Sequence, residues 1–481
     1  MLLQVLLLTA PTPAANANPI LDWNAVMMGA VRMENSGPTL STRNLAILHV
    51  SMYDAVQAVA RTCQPYQFQP QPAPDTSVEA AAVGAGYEVL KILYPSARAR
   101  ADEAFALWQN RVTNPTGVSE GLALGTAVAR QVMQLRSADG SQTQVPYIPS
   151  TAPGAWRRTP PFFRPPLDPH WRYVRPFAIP DIDSFLPPPP PPLDSPEYAA
   201  DWEEVRRLGA ASSPIRTEEQ SLIAVFWSDF SYTAMPPGHW HEIAAGIARN
   251  AETPMVDCAR LFALLSLAQA DAAIVCWESK FRHNLWRPVT AIQQADRDGN
   301  EATPADPTWN HYLAAPPFPA YTSGHSTFSK ASAEVLTAFY GTDALTFTAN
   351  SDSLPGVVRT YHSLADGADE VGRSRIYGGI HYEFDNREGK RSGARIAQFI
   401  TRHCLLPTEA LPHLAMERLA PGGLQMRLHG WPQQTLILEG SSNLQHWQAI
   451  STHTGILGGV PVLANPGPEG YAFFRLQAVT P

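Results

Sequence analysis

The chain has 481 residues, enough to bury one large core and to form two or three folding units. It is 44% apolar and only 16% charged, with a formal net charge of −8, so it offers no basic block or stripe to track nucleic-acid phosphates. Its four cysteines (Cys63, Cys258, Cys276 and Cys404) are scattered without a C-x-x-C pair, which argues against a structural zinc site and leaves disulfides and free thiols both open.

In chain order, "MLLQVLLLTAPTPAANA" is an apolar run closed by Ala15-Asn16-Ala17. It reads as a signal peptide over residues 1–17, cleaved before Asn18, which makes the protein secreted or periplasmic. No other segment is expected to reach the ~20 apolar residues of a membrane span. Helical periodicity then dominates to about residue 405. "STRNLAILHVSMYDAVQAVA" opens on a Ser/Thr cap and carries apolar residues at i, i+3 and i+4. "VEAAAVGAGYEVLKIL", "ARADEAFALWQNRV" and "SEGLALGTAVARQVMQL" continue the pattern.

Residues 145–198 are rich in proline and aromatics and end in Pro187–Pro192. This stretch is expected to be a structural connection running extended, as polyproline II, over the surface. Helices resume in "TEEQSLIAVFWSDF", "HWHEIAAGIARN" and the long "VDCARLFALLSLAQADAAIVCWESKF". Small-residue helices of this kind pack closely, so residues 18–405 are expected to form a large helical bundle. From 412 to 481, "LQMRLHG", "QTLILEGSS" and "YAFFRLQAV" alternate with period two between turns, which predicts a small β-sandwich-like module. The fold class is therefore mainly α with a C-terminal β module.

Three stretches concentrate cations, histidines and small residues. In "WESKFRHNLWRP", Lys280 and Arg287 lie seven apart, two helical turns, and can point at one spot. In "FPAYTSGHSTFSKASAEVL", Ser323 offers a hydroxyl, Gly324 a close backbone approach, and His325 an ionisable ring at a helix start. In "SRIYGGIHYEFDNREGKRSG", Gly378-Gly379 breaks the helix between Arg375 and His381, so both can turn inward. Asp385, with Glu388 three residues on, reads as a capping box that can also orient His381. Three cations, two histidines, a hydroxyl and a free N–H describe a cage for a compact oxyanion.

In these motifs the sequence strongly resembles the vanadium-dependent haloperoxidases of the phosphatidic acid phosphatase type 2 superfamily. Lys280…Arg287-Pro288, Ser323-Gly324-His325 and Ser374-Arg375…His381…Asp385 match that family's three motifs in order and spacing. The likeness extends from about Trp23 to Cys404, with "RNLAILHVSMYDAV" and "FWSDFSYTAMPPGHW" similar to bacterial members. Thr322 stands where the family has proline, so an altered turn is expected there.

The resemblance implies vanadate as cofactor, with phosphate able to compete for the site. His381 would be the axial metal ligand, and Lys280, Arg287, Ser323, the Gly324 N–H and Arg375 would hold vanadate oxygens. His325 would take the proton of hydrogen peroxide and Lys280 would polarise it. Halide would then attack a peroxide oxygen, giving hypohalous acid for small organic acceptors. Asp229 would pair with Arg375, and Trp277 with Phe318 would line the halide side, as in chloroperoxidase-type members.

Two other readings exist. An acid phosphatase would use the same cage through a phosphohistidine at His381, with His325 protonating the leaving group. A non-catalytic oxyanion-binding or adhesive protein would let the β module do the work, but it would not need every motif cation. His239 and His241 in "PPGHWHE" lack a third ligand at sensible spacing for a second metal.

Overall fold

The computed structural model describes residues 18–408, 413–419, 423–429, 435–454, 460–464 and 473–479. The segment read as a signal peptide lies outside the described residues. The chain divides into two units: one holds residues up to Ala60 and from Pro65 to Cys404, the other Arg61–Gln64 and Leu405 onward. The division thus falls one residue earlier than the expected 405. A short segment after the second helix also joins the C-terminal unit, where Thr408 N donates to Thr62 O (2.9 Å) and Gln64 N to Leu406 O (2.8 Å).

The first unit is helical. Its N-terminal half contains α1 (Pro19–Glu34), α2 (Pro38–Ala60), α3 (Val78–Leu93), α4 (Arg98–Gln109) and α5 (Val118–Leu135). After the proline-rich connection come α6 (Pro196–Leu208), α7 (Glu218–Phe226), α8 (Met235–Asn250) and α9 (Met255–His283). The motif-bearing half adds α10 (Pro288–Gln293), α11 (Gly324–Tyr340), α12 (Leu364–Tyr377) and α13 (Glu383–His403). A small antiparallel pair, β1 (Phe347–Asn350) and β2 (Val358–Tyr361), lies between α11 and α12. The second helix starts at Pro38, three residues before the expected Ser41 cap, because proline suits the first helical turn.

Helix α9 is the spine, packed against α2, α11 and α13. It is long and apolar enough to cross a membrane, contrary to expectation, but 94% of its most apolar window is buried inside the unit. Its apolarity is that of a core helix. Two glycines on α13 allow the close approach of α11. A Cβ at Gly393 would stand 2.3 Å from the Thr327 carbonyl, and one at Gly389 2.9 Å from that of Ser323. This contact sets the start of α11 against the start of α13, where His325 and His381 emerge. A buried aromatic cluster of Tyr198, Trp202, Trp286, Tyr321, Tyr382 and Phe384 anchors the segments that carry Arg287 and His381.

The proline-rich connection is not simply a surface strap. Trp156, Trp171, Phe177 and Phe185 from it are buried. It ends at Ser195, three residues earlier than expected, where α6 begins. Before that its only described helical turns are the 3-10 segments Trp171–Tyr173 and Asp183–Phe185, and Pro187–Pro192 has no regular structure. The carboxylate of Asp271, on α9, accepts the N–H groups of Phe177, Ala178 and Ile179 at 2.6–2.9 Å, which pins the strap to the spine.

Two histidines in the core bear on acid stability. His49 Nε2 and His241 Nδ1 share Asn24 Oδ1 (3.1 and 2.9 Å), and their rings stack with centroids 5.2 Å apart. Burial pushes both well below the usual histidine range, His241 to about 3. The unfolded chain therefore binds protons below about pH 6.5 that the folded chain refuses. Stability should be lost on acidification from that pH, by about 1.4 kcal/mol per pH unit for each histidine. Urea midpoints at pH 7 and 5.5 check this, and His241→Asn should make the pH slope shallower.

The second unit contains β3 (His413–Leu419), β4 (Gly423–His429), β5 (Thr435–Ser441), β6 (Gln448–Thr454), β7 (Val460–Ala464) and β8 (Phe473–Val479). They form two antiparallel three-stranded sheets, ordered β3-β4-β7 and β6-β5-β8. Leu428 from one sheet and Leu436 and Leu438 from the other are fully buried, the inward half of the period-two pattern. Cys258, Cys276 and Cys404 are free thiols.

Candidate functional site

The three sequence stretches meet at one cavity of about 890 Å³. Its floor includes Trp277, Phe318, Gly324, His325, Arg375 and His381. Lys280, Arg287 and Arg375 are at most 1% exposed.

Lys280 and Arg287 converge, but not along one helix as the spacing suggests. The Asn284 backbone turns left-handed (φ 50°) and ends α9. Arg287 then stands extended (φ −78°, ψ 154°) before Pro288, as the steric demand of a following proline favours. The Arg287 Nε donates to Phe318 O (2.8 Å), and its Nη1 reaches Ile380 O (2.7 Å) and His381 Nε2 (3.0 Å). Its Nη2 is buried without a partner. Arg375, in the last turn of α12, donates from Nη1 to Trp227 O (2.8 Å), and its Nε is likewise buried and unpartnered. Burial lowers Arg287 to about 9 and Arg375 to about 10. Desolvated cations with open N–H groups are costly unless an anion neutralises them.

Lys280 differs from its expected role. Its ammonium donates to the carbonyls of Pro319, Ala320 (both 3.1 Å) and Thr322, which uses all three N–H groups. It brings charge to the cage while tying down the turn ahead of Ser323, where the Tyr321–Thr322 peptide is cis. Its pKa is lowered by burial, with Arg287 acting in the same direction.

Ser323 is the N-cap of α11, its hydroxyl accepting from Ser326 N at 3.3 Å. Gly324 is the first helical residue, so its N–H has no intrahelical acceptor. A Cβ on Gly324 would touch only Phe328 and Trp277, at 3.5 and 3.8 Å. It would stand in the cavity, where an oxyanion reaches the positive helix end.

His381 is fixed from both sides. Its Nδ1 lies 2.7 Å from Asp385 Oδ2, which also accepts Tyr382 N at 3.2 Å. Asp385 is thus the third residue of α13, reaching back across the helix start, rather than the cap expected from the Asp-x-x-Glu spacing. Glu388 instead pairs with Arg387 and Arg391. Burial, with Arg287 next, holds His381 well below its usual range, so the ring is neutral. Nδ1 then carries the proton to Asp385, and the Nε2 lone pair faces Arg287 and the cavity. Burial raises the Asp385 carboxyl, while Lys280 pulls it down.

His325 is also held neutral, by burial and then by Arg375, and its Nε2 is buried without a hydrogen-bond partner. Asp229 makes no hydrogen bond to Arg375, although its charge acts on that guanidinium in the sense expected of a pair. Its Oδ1 takes His239 Nδ1 at 3.1 Å, and its Oδ2 stands 3.9 Å from His325 Nε2. His241 engages Asn24 rather than His239's partner, so the two do not converge on a metal. No cluster of three metal-ligating side chains of the His/Cys/Asp/Glu type exists among the described residues.

Trp277 and Phe318 pack with ring centroids 5.0 Å apart. Lys280 Nζ lies 4.8 Å and Arg287 Cζ 5.0 Å from the Phe318 ring, so Phe318 also serves as a cation–π partner in the cage. Sequence reasoning missed the outer wall, where Phe162 and Arg164–Leu167 of the proline-rich connection line the cavity. Only proline and aromatic content marked that stretch, and composition does not say which side faces a site. The carbonyls of Trp227, Phe318 and Ile380 were equally unreadable, because backbone acceptors leave no residue-type signal.

The fold and the cage define a helical-bundle protein built to hold a tetrahedral oxyanion beside a neutral histidine. Residues 260–407 match the second helical-bundle domain of vanadium chloroperoxidase. The chain is 26% identical to the vanadium chloroperoxidase of Curvularia inaequalis over 491 aligned residues, 77% of this chain and 79% of that protein. Its fold is similar to that of the first bacterial vanadium-dependent iodoperoxidase solved, with TM-score 0.72 and 29% identity over 83% of this chain and 99% of that one. A holo-type bacterial vanadium-dependent chloroperoxidase shares the fold at TM-score 0.63 and 16% identity, over 82% of this chain and 94% of that one. Over most of its length the chain is thus similar to vanadium-dependent haloperoxidases, and it carries their motifs in order and spacing.

Proposed function

We propose that this protein uses vanadate to oxidise halide with hydrogen peroxide, releasing hypohalous acid to organic acceptors. One observation carries the reading. Arg375 Nε and His325 Nε2 are buried and unpartnered on residues that line the cavity with His381, and Arg287 Nη2 is buried and unpartnered on the guanidinium that touches His381 Nε2. The two guanidinium N–H groups suit a multiply charged tetrahedral oxyanion with one nitrogen ligand, and the His325 nitrogen is left as a proton acceptor. When bound, vanadate supplies a Lewis acid that makes peroxide electrophilic while vanadium stays in its highest oxidation state.

The residues divide the work. Arg287 and Arg375 offer N–H groups to the oxyanion, joined by the Ser323 hydroxyl and the Gly324 N–H. Lys280 adds a nearby positive charge without a free N–H. His381, its tautomer set by Asp385, supplies the nitrogen ligand. His325, neutral and facing the cavity, accepts the proton of incoming peroxide and can return it to the departing oxygen. Asp229 places a carboxylate 3.9 Å from His325 Nε2, on the cavity side, and is itself held by His239. Trp277 and Phe318 give the halide a weakly hydrating wall, so iodide and bromide, more easily oxidised than chloride, are the preferred substrates. The segment before Asn18 supports export, which would place this chemistry outside the cytoplasm.

Equilibrium dialysis tests the cage. Metal-free protein should retain one vanadium per chain from dilute orthovanadate and release it to excess phosphate. Retention without displacement by phosphate would point to a site other than this one.

A further inference from the structure

The cavity is far larger than the inorganic reaction needs. A tetrahedral oxyanion, a peroxide and a halide together fill roughly 200 Å³, taking about 30 Å³ for each water-sized group. The cavity measures about 890 Å³, within the range of sites that enclose a drug-sized organic molecule.

The excess space lies toward the mouth and has a definite chemistry. Phe162, from the proline-rich connection, and Phe230, from the turn after α7, stand in its wall 65% and 38% exposed. Pro165 and Pro166 line the same side, and Phe328 of α11 lies deeper. Solvated phenylalanines at a cavity mouth leave apolar faces uncovered, which a flat ring can cover. Arg164 stands among them, its guanidinium 5.3 Å from the Phe162 ring centre, with no carboxylate partner among the described residues. Arg375 faces the cavity from its inner end, and the one carboxylate in the lining, Asp229, is engaged by His239. An aromatic slot with an unpaired cation at its rim complements an anionic aromatic molecule.

We propose that the outer cavity is a binding subsite for an aromatic organic acceptor bearing a carboxylate or ionised phenol, with Phe162 and Phe230 stacking on the ring and Arg164 pairing with its charge. This rests on the haloperoxidase reading for the chemistry, but binding itself needs neither vanadate nor turnover. In the transfer step an electron pair of the bound ring attacks the halogen of hypohalous acid. The halogen–oxygen bond breaks, oxygen leaves as hydroxide, and the ring proton lost on rearomatisation joins it as water. The acceptor carbon is oxidised and the halogen reduced, so no further reagent is needed.

The test uses the full-length, vanadate-free protein and 4-hydroxybenzoate as probe, with cyclohexanecarboxylate as the non-aromatic anion. Calorimetry should detect the aromatic probe and bind it at least 10-fold more tightly than cyclohexanecarboxylate. Phe162→Ala combined with Arg164→Ala should weaken the probe by 10-fold or more, and both residues are exposed enough for the variant to fold. No detectable binding, equal binding of the two anions, or equal binding by parent and variant would each overturn the proposal. Triiodide formation from iodide and peroxide by the vanadate-loaded parent, which needs no organic acceptor, tests the peroxidase reading separately.

Discussion

His381→Ala is expected to lose retained vanadate altogether, and with it peroxide-dependent halide oxidation, down to the rate of free vanadate. His381 Nε2 faces the cavity with its tautomer fixed by Asp385, whereas His325 Nε2, the other ring nitrogen presented there, has no such orienting carboxylate on its far side. The remaining contacts to the oxyanion would be N–H and O–H donors, which bind phosphate and vanadate alike and supply no bond to the metal. A companion variant separates ligand loss from misfolding. Asp385→Asn keeps the ring but removes the carboxylate that receives its Nδ1 proton at 2.7 Å. It should weaken vanadate retention about 10- to 100-fold, the usual cost of losing a ligand's orienting partner. Dialysis against graded orthovanadate reads both. Parent-like retention by His381→Ala would remove His381 from the centre of the account.

His325→Ala should split binding from turnover. Its ring is neutral and its Nε2 unpartnered, so removing it takes away a proton acceptor rather than a charge that holds the oxyanion. Arg287, Arg375 and His381 remain, and vanadate should be retained within about 10-fold of the parent, as fits the loss of about one hydrogen bond. Iodide oxidation at saturating vanadate should fall on the order of 10²- to 10⁴-fold, the span typical of losing a positioned acid–base group. Triiodide absorbance at fixed vanadate loading measures it. An equal loss of binding and rate would recast His325 as a cofactor-holding residue.

What could be read in advance followed from chain-local physics. The helix starts at Ser323 and the Gly378-Gly379 break are fixed by neighbours within a few residues, and there pattern and structure agree. The period-two alternation of the C-terminal strands is equally local. The convergence of Lys280 with Arg287 was legible as a pair, but its geometry was not. A helix end at Asn284 and an extended residue before Pro288 bring them together, whereas the spacing of seven suggested one continuous helix. Asp385 was legible as a helix-start carboxylate, yet its place inside the first turn depends on Tyr382 beginning the cap.

The parts that stayed hidden depend on distant segments. Asp229 hydrogen-bonds His239 while its charge also acts on Arg375, a division between two partners that no sequence pattern announces. Lys280 spends its N–H groups on three carbonyls, a saturation that no residue pattern announces. The outer wall comes from a connection whose prolines said only that it was not helical. Its role emerges where Phe162 and Arg164 face a cavity built by residues from about sixty-five to more than two hundred positions away.

The most direct measurement of the central claim is halide oxidation by metal-free protein before and after orthovanadate. The account predicts no peroxide-dependent triiodide without vanadium, its appearance on adding one equivalent, and suppression when excess phosphate is present during loading. Ester hydrolysis by the vanadium-free protein, with no halide oxidation after loading, would contradict it and assign the same cage to a phosphatase.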